Sequence, residues 1–225
     1  MDLRRLRLAR LPEAATFHTS YVRSRWPALF NASGFGNARF SPLQTEGAPV
    51  PMMYGATTQT VALLETSFHD VHEMGTRIVS ESLNLAPRGL VALTTPASLP
   101  LIDLTDEGLA RVGLSRAQLV ATTAAHYACT REWAVVLHAR RIGPVVPVGL
   151  LWRSRVAELA QSDSLLLGDL LTIAGHVFVL FGDRLSTDPG AWQPGDPHFD
   201  DLLTGNGRLL AEQIAEQLGA VMVPS

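Results

Sequence analysis

Met52-Met53-Tyr54-Gly55-Ala56, followed by Thr57-Thr58-Gln59-Thr60-Val61-Ala62-Leu63-Leu64-Glu65, holds the change of period that decides the fold. The first five residues form a short apolar run that reads as a buried strand. Thr57 or Thr58 then offers an N-cap, and the spacing predicts a helix to about His72. Its apolar stripe is Val61, Leu64, Phe68 and Val71. Glu65 falls on the edge of that stripe, where a carboxylate near the core needs a partner; an ion pair with an arginine or plain exposure at the helix edge satisfies it as well as a functional role does.

Outward from this unit, further strands are predicted at Gly89–Thr95, Leu101–Leu104, Val145–Trp152 (broken by Pro147) and His176–Phe181. Leu3, Leu6, Leu8 and Leu11 partly alternate with arginines, as in a short half-exposed strand. Helices are predicted for Pro12–Arg23, for Arg116–His138 behind a Ser115 cap, and for Arg208–Leu218 after Gly205-Asn206-Gly207. Asn31–Pro51, rich in Gly, Asn, Ser and Pro, reads as one long loop. Strands and helices mix without regular βαβ alternation. The expected fold is therefore one α+β domain over residues 1–225, with a C-terminal helical extension from about 197.

Composition removes several functions. All eighteen basic residues are arginine, and GC-rich coding would account for that bias. Without lysine there is no Schiff-base nucleophile and no P-loop lysine, so a bound phosphate must be held by arginine or by backbone N–H groups. A net charge of −3 supplies no basic field, and no nucleic-acid binding is expected. One cysteine, Cys129, excludes an internal disulfide framework and a Cys-rich zinc site. Met1–Leu11 is arginine-rich but lacks the apolar core of a secretory signal, and no run is long enough to span a membrane. A soluble cytoplasmic protein is expected, and the sequence is silent on its oligomeric state.

Several tempting motifs fail on chemistry. Gly34-Phe35-Gly36-Asn37-Ala38-Arg39-Phe40 lacks the third glycine and the preceding strand of a dinucleotide fingerprint. His69-x-x-His72-Glu73 has neither the spacing nor the order of a zinc-binding helix, and no metal site is expected. His126 and His138 read as satisfied core or edge histidines, Cys129 as a buried inert thiol and Trp133 as core. Pro194–Asp201, with its aspartates 196, 200 and 201, reads as a solvated acidic loop.

Three separated segments, Ala38–Pro42, Met53–Glu65 and Gly149–Arg155, together resemble the RES domain family. Ala38-Arg39-Phe40-Ser41-Pro42 is similar to the family's arginine–aromatic segment. Met53-Tyr54-Gly55-Ala56, then Ala62-Leu63-Leu64-Glu65, is similar to its strand tyrosine and alanine-rich helix bearing glutamate. Gly149-Leu150-Leu151-Trp152-Arg153-Ser154-Arg155 is similar to its serine-bearing strand end, and His176–Arg184 to its closing strand. The motif-bearing core runs from about residue 39 to 184. Departures are a longer Arg39–Tyr54 interval, Asn37-Ala38 in place of the usual glycines, and a long apolar segment at Val156–Ala174.

The resemblance implies an ADP-ribosyltransferase-like mixed sheet with surrounding helices. It also implies a toxin of a toxin–antitoxin pair, acting on NAD as substrate with no true cofactor, and an Xre-type antitoxin protein as partner. It assigns Arg39, Glu65 and Ser154 to catalysis, and Arg39, Tyr54 and Ser154 to contact with NAD. Glu65 would stabilise positive charge developing on the ribose as nicotinamide leaves. Arg39 would hold the pyrophosphate. Ser154 would bond the ribose or orient Glu65, and Tyr54 would stack on nicotinamide or bond a phosphate. Purely structural roles remain open at this stage: a loop-anchoring ion pair for Arg39, a cap for Ser154 and core packing for Tyr54. The reactions compatible with this set are NAD hydrolysis or phosphorolysis and mono-ADP-ribosylation of a protein. A non-catalytic interaction module of the same fold is the third reading.

Overall fold

The computed structural model describes residues 1–26, 29–69, 71, 77–158 and 175–224. In chain order the strands are β1 (Leu8–Leu11), β2 (Thr16–Val22), β3 (Gln44–Thr45), β4 (Ala48–Pro49), β5 (Met52–Ala56), β6 (Ile78–Ser80), β7 (Arg88–Thr94), β8 (Leu99–Asp103), β9 (Gly149–Arg153), β10 (His176–Phe181), β11 (Gln193–Phe199) and β12 (Val221–Val223). The α-helices are α1 (Gln59–Leu64), α2 (Asp106–Val112), α3 (Arg116–Leu119), α4 (Tyr127–His138) and α5 (Gly205–Gln217).

Among the described residues eight strands form one sheet, in the order β1-β8-β9-β10-β5-β2-β7-β11. The β8–β9 pair is parallel and the other neighbours are antiparallel, so the sheet is mixed as expected of an α+β chain. Both faces of its centre are covered. On β10, Val177, Val179 and Phe181 enter one core, while Phe178 and Leu180 enter the other. That double burial explains the unbroken apolar run in this strand. Gly55 lies opposite Phe178. A Cβ there would stand 2.5 Å from the Phe178 ring, so the glycine makes the seat for that side chain.

Four expectations are corrected. Pro12–Arg23 contains β2, not a helix: Phe17, Thr19 and Tyr21 are buried in alternation with His18, Ser20 and Val22, a period of two. The helix from Thr58 ends at Leu64, because Glu65 turns out at φ −82°, ψ −1° and the Thr66 and Phe68 amides both bond the Leu63 carbonyl. Its predicted end near His72 lies outside the described residues, as does Glu73 of the His69-x-x-His72-Glu73 motif. The helix expected over Arg116–His138 breaks into α3, a 3₁₀ turn (Ala124–His126) and α4. The β-branched pair Thr122-Thr123 falls in the break, where Thr123 is extended. Finally, the acidic loop at 194–201 is largely β11, at the edge of the sheet among the described residues, where one side of its ladder is unpaired and its prolines are tolerated.

Smaller differences follow the same logic. Only Leu8–Leu11 of the N-terminal leucine pattern is strand, and Leu3–Arg5 forms a 3₁₀ turn. Cys129 is exposed rather than buried, and Trp133 is partly buried against the core. The C-terminal region beyond 197 is integrated into the fold: Leu210, Ala211, Ile214 and Leu218 join the core beside α1, and β12 pairs in parallel with β6. Residues 159–174, most of the long apolar segment, lie outside the described residues.

Candidate active site

The β5–α1 unit builds one wall of a cavity of about 950 Å³, at the large end for small-molecule sites. The Thr58 hydroxyl accepts from the Val61 N–H and caps α1. The following turn and a half presents Ala62, Glu65, Thr66 and His69 to the cavity. Glu65 closes α1 at its carbonyl end, where a negative charge gains nothing from the helix dipole. A carboxylate in that place is held for another reason.

That reason lies across the sheet. The Ser154 hydroxyl donates a 2.6 Å hydrogen bond to Glu65 Oε1. Ser154 is 1% exposed, directly after β9, and its Oγ also accepts from the Ala157 N–H at 2.9 Å. It therefore caps the helical turn at 155–158 and aims the carboxylate with the same oxygen.

Arg39 is 6% exposed and lines the cavity with Glu65. Its Nη1 donates to the Thr122 carbonyl at 2.9 Å and to Thr122 Oγ1 at 2.6 Å. Its guanidinium carbon stands 5.3 Å from the centre of the Tyr127 ring. The backbone is anchored too, because the Thr130 hydroxyl donates to the Arg39 carbonyl. Burial draws the guanidinium below the ordinary arginine pKa, opposed by Tyr127 and Glu65. At neutral pH it stays charged.

Tyr54 faces the cavity from β5. Its hydroxyl accepts from the Phe40 N–H and donates to Ser41 Oγ, both at 3.3 Å, which ties the Arg39 loop to the sheet. Burial pushes its pKa up to about 12, so it is neutral and able to donate. The ring meets Trp152 edge-on, with centroids 6.2 Å apart.

The four residues singled out in the sequence thus gather at one place. Arg39, Tyr54 and Glu65 line the cavity, and Ser154 supports Glu65 from below. Tyr127 and Thr122 were missed. Tyr127 carries Arg39 on its ring, and its hydroxyl lies 3.2 Å from His69 Nε2. Both residues sit at the α3–α4 break, for which Thr122-Thr123 was the available signal.

Among the described residues no helix is long and apolar enough to cross a membrane. A search of curated proteins finds no match. The chain is similar in structure to a chain of the crystal structure of the M. tuberculosis MbcT–MbcA toxin–antitoxin complex. It matches with a TM-score of 0.56 over 92% of each chain at 17% identity, a likeness of fold. The sequence model of the RES domain matches residues 7–171, most of the sequence, and the chain belongs to the RES domain family.

Proposed function

We propose that this chain is a RES-type toxin that binds NAD and breaks its nicotinamide–ribose bond. The observation that carries the reading is the Glu65 carboxylate, fixed by Ser154 on the wall of a dinucleotide-sized cavity that Arg39 and Tyr54 also line. The C1′–N bond breaks with its electron pair going to the pyridinium nitrogen, so nicotinamide leaves neutral. Positive charge is left on the ribose. Glu65, acceptor-only when ionised, stabilises that charge and is prevented from swinging away by Ser154. Water then adds at C1′ and releases one proton, giving ADP-ribose; phosphate in its place gives the 1-phosphate ester.

Arg39 Nη1 is committed to Thr122, which leaves the rest of the fork for an anionic phosphate oxygen. Tyr54 positions the Arg39 loop and offers a ring face to the nicotinamide. Ser154 acts through Glu65, because it is buried beneath it.

The structural neighbour is a toxin–antitoxin complex, and by analogy an antitoxin, of Xre type in the family resemblance, is the partner. Phe35, 80% exposed on the loop lining the cavity, is suited to such a contact. The test is nicotinamide release from NAD by the purified chain, followed with and without phosphate. Label transferred from NAD to a protein band would instead support a mono-ADP-ribosyltransferase.

A further inference from the structure

The cavity extends well beyond Glu65. His18 and Ser20 on β2 line it, two residues apart and therefore on one face of the sheet. Val22 continues that face, and Arg88 on β7 is its direct partner in the antiparallel ladder. Opposed residues in such a ladder point to the same side. Arg88 accordingly lines the same cavity.

These three residues share an unusual property. His18 Nδ1 and Ser20 Oγ are buried with no hydrogen-bond partner. Arg88 is partly buried, and among the described residues its guanidinium has neither an ion pair nor a hydrogen bond. Other arginines of the chain are matched: Arg7 with Asp103, Arg23 with Asp201, Arg116 with Glu158 and Arg208 with Glu81. Burial draws the Arg88 pKa down, and among the described residues no acidic neighbour opposes it. Unfilled buried polar groups are costly, and native proteins keep few without a reason.

The charge around the cavity says what is missing. Arg25, Arg39 and Arg88 line it, against Glu65 as the sole carboxylate among the described lining residues. A guanidinium fork on the same sheet face as a hydroxyl and an imidazole offers groups that suit the oxygens of a phosphate.

We propose that Arg88, Ser20 and His18 form an anion subsite that takes a phosphate group of the nucleotide held in this cavity. The anion chemistry stands on the sheet face itself; only the naming of a dinucleotide as its bearer rests on the function proposed above. Two phosphates have this chemistry, the pyrophosphate bridge and a 2′-phosphate on the adenosine ribose.

The probes are inorganic pyrophosphate, ADP and 2′-phospho-ADP-ribose, titrated calorimetrically into the full chain. Wild type is expected to bind pyrophosphate and ADP, and Arg88→Gln to bind each at least about ten-fold more weakly, the usual effect of losing a charged hydrogen bond. A loss confined to 2′-phospho-ADP-ribose assigns the subsite to the 2′-phosphate and also supports it. Ser20→Ala removes one ligand without touching charge and serves should Arg88→Gln misfold; about three-fold weaker binding is expected. Wild-type affinity for all three probes in folded Arg88→Gln and Ser20→Ala overturns the proposal, as does failure of wild type to bind any of them. Arg88-dependent pyrophosphate binding without nicotinamide release would keep the subsite and reject the NAD reading. NAD cleavage with no Arg88 dependence in any probe would do the reverse.

Discussion

Ser154 Oγ lies 2.6 Å from Glu65 Oε1, across a separation of 89 residues in sequence. The same oxygen caps the turn that begins at residue 155. Ser154→Ala therefore removes two things. The lost cap costs about 1 kcal/mol of stability, measurable by denaturant unfolding. The freed carboxylate costs about ten-fold in NAD turnover at a temperature where the variant is fully folded. A stability loss with unchanged turnover would reduce Ser154 to a cap.

Arg39 is held by Thr122 and by the Tyr127 ring, so its planar shape is used as well as its charge. Arg39→Lys retains the charge and loses the fork. NAD affinity is expected to fall about ten-fold, read by calorimetry. Affinity equal to wild type would mean that the residue serves the Thr122 anchor alone.

Gly55 supports the site through packing. Its Cα hydrogen points at rings of Phe178 and Phe17, which a methyl group would meet at 2.5 Å and 2.9 Å. Gly55→Ala is expected to destabilise by about 1–3 kcal/mol, the range for overpacked cores. An unchanged unfolding midpoint would show that β5 and β10 shift apart freely.

Three histidines give the protein a pH limit. His18 is pulled below its ordinary value of 6.5 by burial. Burial does the same to His138, reinforced by Arg184 and opposed by Asp183, and to His176, reinforced by Arg153 and opposed by Asp103. Between the depressed folded values and 6.5, the unfolded chain binds more protons than the folded one. Stability therefore falls as pH drops through about 6.5 and levels off about one pH unit above it, as far as these groups act. Denaturant midpoints across pH 5 to 8 measure this; a midpoint that rises on acidification would contradict it.

The parts of the fold legible in the sequence were those with one dominant signal. Met52–Ala56 and His176–Phe181 are buried on both faces, and continuous apolar runs announce them. The Thr58 cap and the gathering of Arg39, Tyr54, Glu65 and Ser154 were also accessible, through helix-cap chemistry and the family motifs. Elements set by tertiary contact were not. Thr16–Val22 follows a proline and two alanines that suggest a helix, yet its alternating face is claimed by the sheet. Tyr127 could not be placed because its position under Arg39 depends on a break whose carbonyl, from Thr122, is satisfied by that same arginine. Arg88 carries no motif of its own; its place on the cavity is set by the ladder, which puts it opposite Val22.

In the proposed reaction Glu65 carries the chemistry. Glu65→Gln is nearly isosteric and keeps an oxygen for Ser154 to bond. It removes a negative charge from the carbonyl end of α1 and, with it, an attraction to buried Arg39, effects of opposite sign, so stability should change little. Nicotinamide release from NAD, measured on wild type beside Glu65→Gln, is the direct test. Release by wild type is expected, with a loss of at least about a hundred-fold in the folded variant. Equal release by both proteins, or none from wild type freed of any partner, would contradict it.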